Sequence, residues 1–214
     1  MSAPRRLGWR PFGRLALLTV LTLAWVPVLH SAQLGAVVHD LAGFGRYKRF
    51  TAYDQYFAKY SKRFFGVGFD WRYFKAQAVA ESNLRPDARS PAGAVGVMQV
   101  MPRTFDEIRR KNPAIAGSVD QPRWNIAAGI WYDRQQFVVW TAERSLIERL
   151  KFMFGSYNAG RANILRAQQL ALSEGLNATL WESVAAELSR VTGRRSQETV
   201  TYVARVLDIK QALR

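Results

Sequence analysis

The sequence predicts a mostly α-helical fold, and three observations carry that prediction. Apolar residues recur at +3 and +4 along successive segments between residues 53 and 212, the spacing of single helix faces. No alternating strand-like run of useful length occurs, apart from the short stretch Gly96–Val100. The abundance of Leu, Ala and Arg favours helix as well. At 214 residues the chain is long enough for one compact domain plus an appendage.

The appendage comes first. Arg5, Arg6, Arg10 and Arg14 precede an apolar run from Leu15 to Leu29, and no Lys, Arg, Asp or Glu lies between Arg14 and Asp40. That window suffices to cross about 30 Å of hydrocarbon. Cleavage after Ala32 or Ala36 would place His30 or Leu34 three residues before the cut, which is poor chemistry for a signal peptidase. The expectation is an N-terminal hydrophobic helix retained as a single-pass inner-membrane anchor, its basic stub cytoplasmic and the rest exported to the periplasm. Cleavage would give a free periplasmic protein instead. The partition is therefore 1–39 as stub and anchor, 40–52 as tether, and 53–214 as the folded domain.

Within the domain, Tyr53, Phe57, Tyr60 and Phe64 recur at +4, +3 and +4. They predict a helix whose aromatic face packs on a core, a commoner use of such a stripe than sugar binding. Asp70 is available to cap a second helix, which has no Gly or Pro before Pro86 and carries Glu81 near its C-terminus. After a small-residue loop, Pro102 suits the first turn of a short helix ending near Lys111. A longer helix spans Arg123 to about Trp140, with Ile126, Ile130 and Phe137 beside Ala127, Trp131 and Val138 giving two adjacent buried rows. Ser145 and Glu148 form a capping box that opens a helix running into Tyr157-Asn158-Ala159-Gly160. Residues 161–173, 178–191 and 197–212 complete the helical set, separated by Gly175 and Gly193.

Composition narrows the chemistry. The chain has no Cys and only two His, His30 and His39, both in the apolar N-terminal region. Thiolate chemistry, a His triad and a zinc site are thereby disfavoured, and acid–base work falls to carboxylates. A net charge of +15 points to an anionic partner such as lipid headgroups or a carboxylate-bearing wall polymer. The basic residues are spread along the chain without a nucleic-acid motif, so no specific nucleic-acid partner is expected.

One carboxylate is out of place. Trp71, Phe74, Ala78 and Glu81 share a helix face, three of them suited to a core and the fourth an acid. A buried carboxylate must be paired, protonated or useful. Most helix Glu residues are solvated salt-bridge partners, but Glu81 sits where the helix C-terminal dipole disfavours its ionised form. The loop from Ser90 to Pro102 offers Val97, Met98 and Val100 as an apolar lid and Gln99 as a lone amide among them. A carboxyl kept protonated near neutral pH is what a general acid for glycosidic cleavage requires.

Glu81-Ser82 followed by Ser90-x-x-Gly93-Ala94-x-Gly96-x-Met98-Gln99-x-Met101-Pro102 strongly resembles the soluble lytic transglycosylase family, which is related to goose-type lysozyme. Asn125-Ile126-x-x-Gly129 with Tyr132, Tyr157-Asn158-Ala159-Gly160, and Glu198-Thr199-x-x-Tyr202-Val203 extend the resemblance from Tyr53 to Lys210. It implies a lysozyme-like helical domain with an irregular or β-like loop after the catalytic helix. Glu81 would be the single catalytic acid, cleaving the β-1,4 bond between N-acetylmuramic acid and N-acetylglucosamine and leaving a 1,6-anhydro product. Ser90, Gln99 and Met101 would line the subsites around the acetamido group, Tyr157 and Asn158 would contact sugar, and Glu198 with Tyr202 would flank Glu81. The implied partner is peptidoglycan, with secretion, conjugation or phage-entry machinery as partner classes; no metal or organic cofactor is implied.

Other readings of these residues stay open. Ser90-Pro91 is ordinary turn sequence, Met98 suits a core, Tyr157-Asn158 could end a helix, and Glu198 and Tyr202 could be a solvated pair. Hydrolysis of the same bond would recruit a water and a second carboxylate, for which Asp87, Asp120 and Asp133 are candidates. A non-catalytic wall-binding assembly protein is the third reading.

Overall fold

A computed structural model describes residues 43–141 and 143–214. The expected N-terminal hydrophobic helix lies outside the described residues, among which no helix is long and apolar enough to cross a membrane. The helices are α1 (Asp54–Phe65), α2 (Arg72–Ser82), α3 (Pro102–Lys111), α4 (Pro122–Phe137), α5 (Leu146–Ala159), α6 (Arg161–Ser173), α7 (Trp181–Thr192) and α8 (Arg195–Ala212). A 3-10 turn at Gly45–Lys48 precedes them, and its Tyr47 is buried against the domain. Among the described residues there is no strand. The stretch around Gly96–Val100 contributes only the isolated bridges Arg89–Val95 and Val95–Val100, so the loop is irregular with β-like contacts.

Two helices are buried along most of their length, α5 through an apolar and small-residue run and α2 with Lys75 and Gln77 buried among its apolar residues. In α2 every residue from Phe74 to Val79 is buried. In α5 the run Phe152-Met153-Phe154-Gly155-Ser156 is buried too, and Gly155 is needed because a Cβ there would lie 2.4 Å from the Trp181 ring. The remaining helices pack around them: α8 on α2 and α5, α1 on α4, and α6 on α7. The aromatic stripe of α1 behaves as core, with Phe57 and Tyr60 buried and Tyr60 stacked on Phe64.

Local signals act much as their chemistry dictates. Asp70 Oδ1 accepts from the Arg72 backbone N–H at 3.1 Å, satisfying an orphan donor at the start of α2. Ser145 caps α5 by accepting from the Glu148 N–H. The Glu148 carboxylate does not complete the capping box. It accepts instead from the Trp181 N–H and from Lys151, tying the start of α7 to α5.

Three boundaries differ from the sequence expectation. Helix α4 stops at Phe137 because the chain turns there, letting Trp140 bury itself and donate from Nε1 to Ser156 Oγ at 3.1 Å. Val138, expected in a buried row, is consequently exposed. Helix α7 starts at Trp181 after an extended Leu180, and α8 starts at Arg195.

Candidate active site

Glu81 is the penultimate residue of α2 and is only partly exposed. The helix ends one residue later because Asn83 takes the left-handed conformation, φ 55°, which Asn tolerates better than most side chains. Its amide oxygen accepts from the Tyr47 hydroxyl at 2.7 Å, which holds that turn. Burial lifts the Glu81 carboxyl from an ordinary 4.5 to about 7; the Tyr202 hydroxyl pulls against this and the Glu198 charge adds to it. Tyr202 Oη donates to Glu81 Oε1 at 2.6 Å. Burial, then the neighbouring Glu81 charge, keeps the Tyr202 phenol protonated far above its usual range, so it remains a donor throughout the titration of Glu81.

The loop beside Glu81 is fixed from three directions. Ser82 Oγ donates to the Val97 carbonyl at 2.8 Å. Asn125, fully buried in α4, accepts from the Met98 N–H at 2.7 Å and donates to the Val95 and Val119 carbonyls at 2.8 and 2.9 Å. Tyr157 donates from its hydroxyl to the Met98 carbonyl at 2.7 Å. Gly96, at φ +79°, leaves room for the Asn125 amide, which a Cβ would meet at 2.7 Å. These bonds satisfy backbone groups that a buried loop would otherwise leave unpaired. Val97, Met98 and Val100 are buried, and Met98 packs on Gly129 as a core residue.

The residues singled out from sequence separate into those near the acid and those that build its surroundings. Tyr202 contacts Glu81 directly, Glu198 acts on it electrostatically, and the Glu81 charge in turn raises the Tyr157 phenol. Asn158 Oδ1 accepts from the Thr199 hydroxyl at 2.7 Å, and with Arg195, Glu198 and Thr199 it lines a cavity of about 310 Å³. Gln99 adopts φ 47° and commits its amide N–H₂ to the Ala88 and Gly96 carbonyls, so it braces the loop. Ser90 Oγ accepts from the Ala94 N–H at 3.0 Å in a turn. Met101, 40 % exposed, stands just before α3.

Of the three candidate second carboxylates, Asp87 is exposed and Asp120 is exposed in an ion pair with Arg89 at 2.7 Å. Asp133 is fully buried and within electrostatic reach of Glu81. Sequence reasoning gave no role to Ser82 or Asn125. The signal for Asn125 was a polar residue on the otherwise apolar face of α4. Among the described residues, no group of three His, Asp or Glu side chains is placed to hold a metal ion. A larger cleft of about 630 Å³ between α7 and α8, lined by Trp181, Glu182, Val200 and Leu207, does not border Glu81.

A family model described as "Transglycosylase SLT domain" matches residues 55–178. The chain belongs to the SLT transglycosylase family. Among relatives of this SLT domain, membrane-bound lytic murein transglycosylase F of Shewanella pealeana is 30% identical over 153 residues, 71% of this chain and 31% of that protein. The Shewanella woodyi counterpart is 30% identical over 186 residues, 81% of this chain and 38% of its own. The chain thus spans only about a third of the length of these relatives. The 70 kDa soluble lytic transglycosylase of Escherichia coli superposes with a TM-score of 0.59 at 25% identity, covering 77% of this chain and 24% of that one. An inactive mutant of the Pseudomonas aeruginosa lytic transglycosylase Slt shares the fold with a TM-score of 0.57 at 24% identity, covering 75% and 23%.

Proposed function

We propose that this SLT domain is a peptidoglycan lytic transglycosylase with Glu81 as its acid and base. The observation that carries the reading is the Glu81 carboxyl, held near neutrality by burial and hydrogen-bonded at one oxygen by Tyr202. With Oε1 accepting from tyrosine, the acidic proton belongs on Oε2. That proton passes to the glycosidic oxygen as the bond to the N-acetylmuramic anomeric carbon breaks. The substrate's own acetamido group stabilises the positive charge that develops there. The new Glu81 carboxylate, stabilised by the Tyr202 donor, then takes the proton of the muramic C6 hydroxyl as that oxygen closes on the anomeric carbon. The products are a 1,6-anhydro end and a restored, protonated Glu81, with no water consumed. The acetamido group thereby serves where a second carboxylate serves in two-carboxylate glycosidases.

Tyr157, Asn158, Glu198 and the loop carrying Ser90, Gln99 and Met101 form the walls of the substrate groove in this reading. The N-terminal Arg cluster and charge-free window support an inner-membrane anchor ahead of a periplasmic domain beginning near residue 53, and relatives that are themselves named membrane-bound favour the same placement. Mass spectrometry of digested peptidoglycan tests the reaction: anhydro products that disappear with Glu81→Gln support it. Products one water heavier indicate hydrolysis, and no cleavage by the native chain indicates a wall-binding role.

A further inference from the structure

Behind Glu81, one turn back along α2, lies Gln77, and facing it from α4 is Asp133. Both side chains are completely buried. Gln77 Nε2 donates to Asp133 Oδ1 at 3.2 Å. The other oxygen of each, Gln77 Oε1 and Asp133 Oδ2, is buried without a hydrogen-bond partner. Among the described residues Asp133 has no ion pair. The layer is rich in acceptors and short of one donor.

An ionised Asp133 offers only acceptors, so it leaves these oxygens unsatisfied and buries a charge with no cation beside it, both of which are costly. A proton on Oδ2 supplies the missing donor and lets the carboxyl and the Gln77 amide each give one hydrogen bond and receive one. We propose that Asp133 carries a proton in the resting protein and is the positioning residue behind Glu81, locking α4 to α2 through Gln77 without adding a buried charge next to the acid. The charge that bears on it is that of Glu81 from α2, and an Asp133 charge would in turn bear on Tyr157 from α5, Tyr202 from α8 and Tyr132 on its own helix. None is a cation. Burial foremost, and then the Glu81 charge, push its titration well above the carboxylate range, against the Gln77 donor. With that proton in place, Glu81 titrates without repulsion from Asp133.

The role as a positioning residue rests on Glu81 being the acid; the proton itself does not. Infrared difference spectroscopy of the full chain against Asp133→Asn at about pH 9, above the Glu81 transition, reads the proton directly. A protonated-carboxyl carbonyl band present in the native chain and absent from the variant is expected. A carboxylate difference in its place overturns the proposal whether or not the chain cleaves wall. Should Asp133→Asn fail to fold, the native chain titrated alone decides: one protonated-carboxyl band must survive past the Glu81 transition. In the pH–activity profile Asp133→Asn, which keeps both a donor and an acceptor, leaves the basic midpoint in place, whereas Asp133→Leu unfolds more easily because it orphans the Gln77 amide. A downward shift of more than about half a unit in Asp133→Asn shows that Asp133 was ionised and contradicts the proposal.

Discussion

The hydroxyl of Tyr202 in α8 meets Oε1 of Glu81 in α2 at 2.6 Å, joining residues 121 positions apart in the chain. The bond lowers the carboxyl's titration against the burial that raises it. Tyr202→Phe removes that donor while keeping the ring. The Glu81 titration then moves up, by about one unit if the bond to the charged form is worth about 1.5 kcal/mol. The carboxylate formed by proton donation loses its partner, so kcat falls about 10- to 100-fold. A pH–rate profile of Tyr202→Phe on peptidoglycan measures both changes.

Glu198 acts in the opposite direction. It is exposed and raises Glu81 through charge alone. Glu198→Gln lowers the Glu81 midpoint, and the difference from the native profile shrinks as salt is added, because exposed charges are screened. Profiles at low and high ionic strength check this.

The raised acid costs stability, and its sign is fixed. The unfolded carboxyl ionises near 4.5 and the folded one near 7, so between those values the unfolded state releases its proton first. Stability from this group is present below about 4.5, declines as pH rises through the window, and levels off above about 7. The gap of about 2.5 pH units corresponds to about 3 kcal/mol. Glu81→Gln therefore stabilises the fold at pH 8 by up to that amount and by little at pH 4. Denaturant unfolding at the two pH values measures the difference.

Asn125 holds the loop that borders the acid. Asn125→Ala leaves the Met98 N–H and the Val95 and Val119 carbonyls without their side-chain partner, at a cost of about 3 kcal/mol. Gly96→Ala injures the same contact from the other side, by placing a Cβ against the Asn125 amide in a backbone conformation disfavoured for L residues. Denaturant midpoints should fall in both variants, together with kcat/KM.

What the sequence made legible follows the range of the forces involved. Helix caps and faces are local, so the Ser145 cap and the α1 stripe read correctly, Asp70 reaches the first N–H of α2 from just outside its N-cap Trp71, and the odd placement of Glu81 was visible from its own helix. The α4 end at Phe137 depends on Trp140 finding Ser156 in another helix, which no local pattern contains. Gln99 read as a lone amide needing polar partners, yet those partners are loop carbonyls whose positions follow from the left-handed turn. The Tyr202–Glu81 pairing entered only through resemblance, since periodicity places each residue on a face without saying which faces meet. Gln77 looked like an ordinary helix residue until α4 brought Asp133 against it.

The most direct test of the central claim is the identity of the sugar released when the purified chain digests peptidoglycan, compared with its Glu81→Gln variant. The native chain is expected to release 1,6-anhydromuramic products and the variant none. Products carrying an added water, or undiminished cleavage by Glu81→Gln, would contradict the claim.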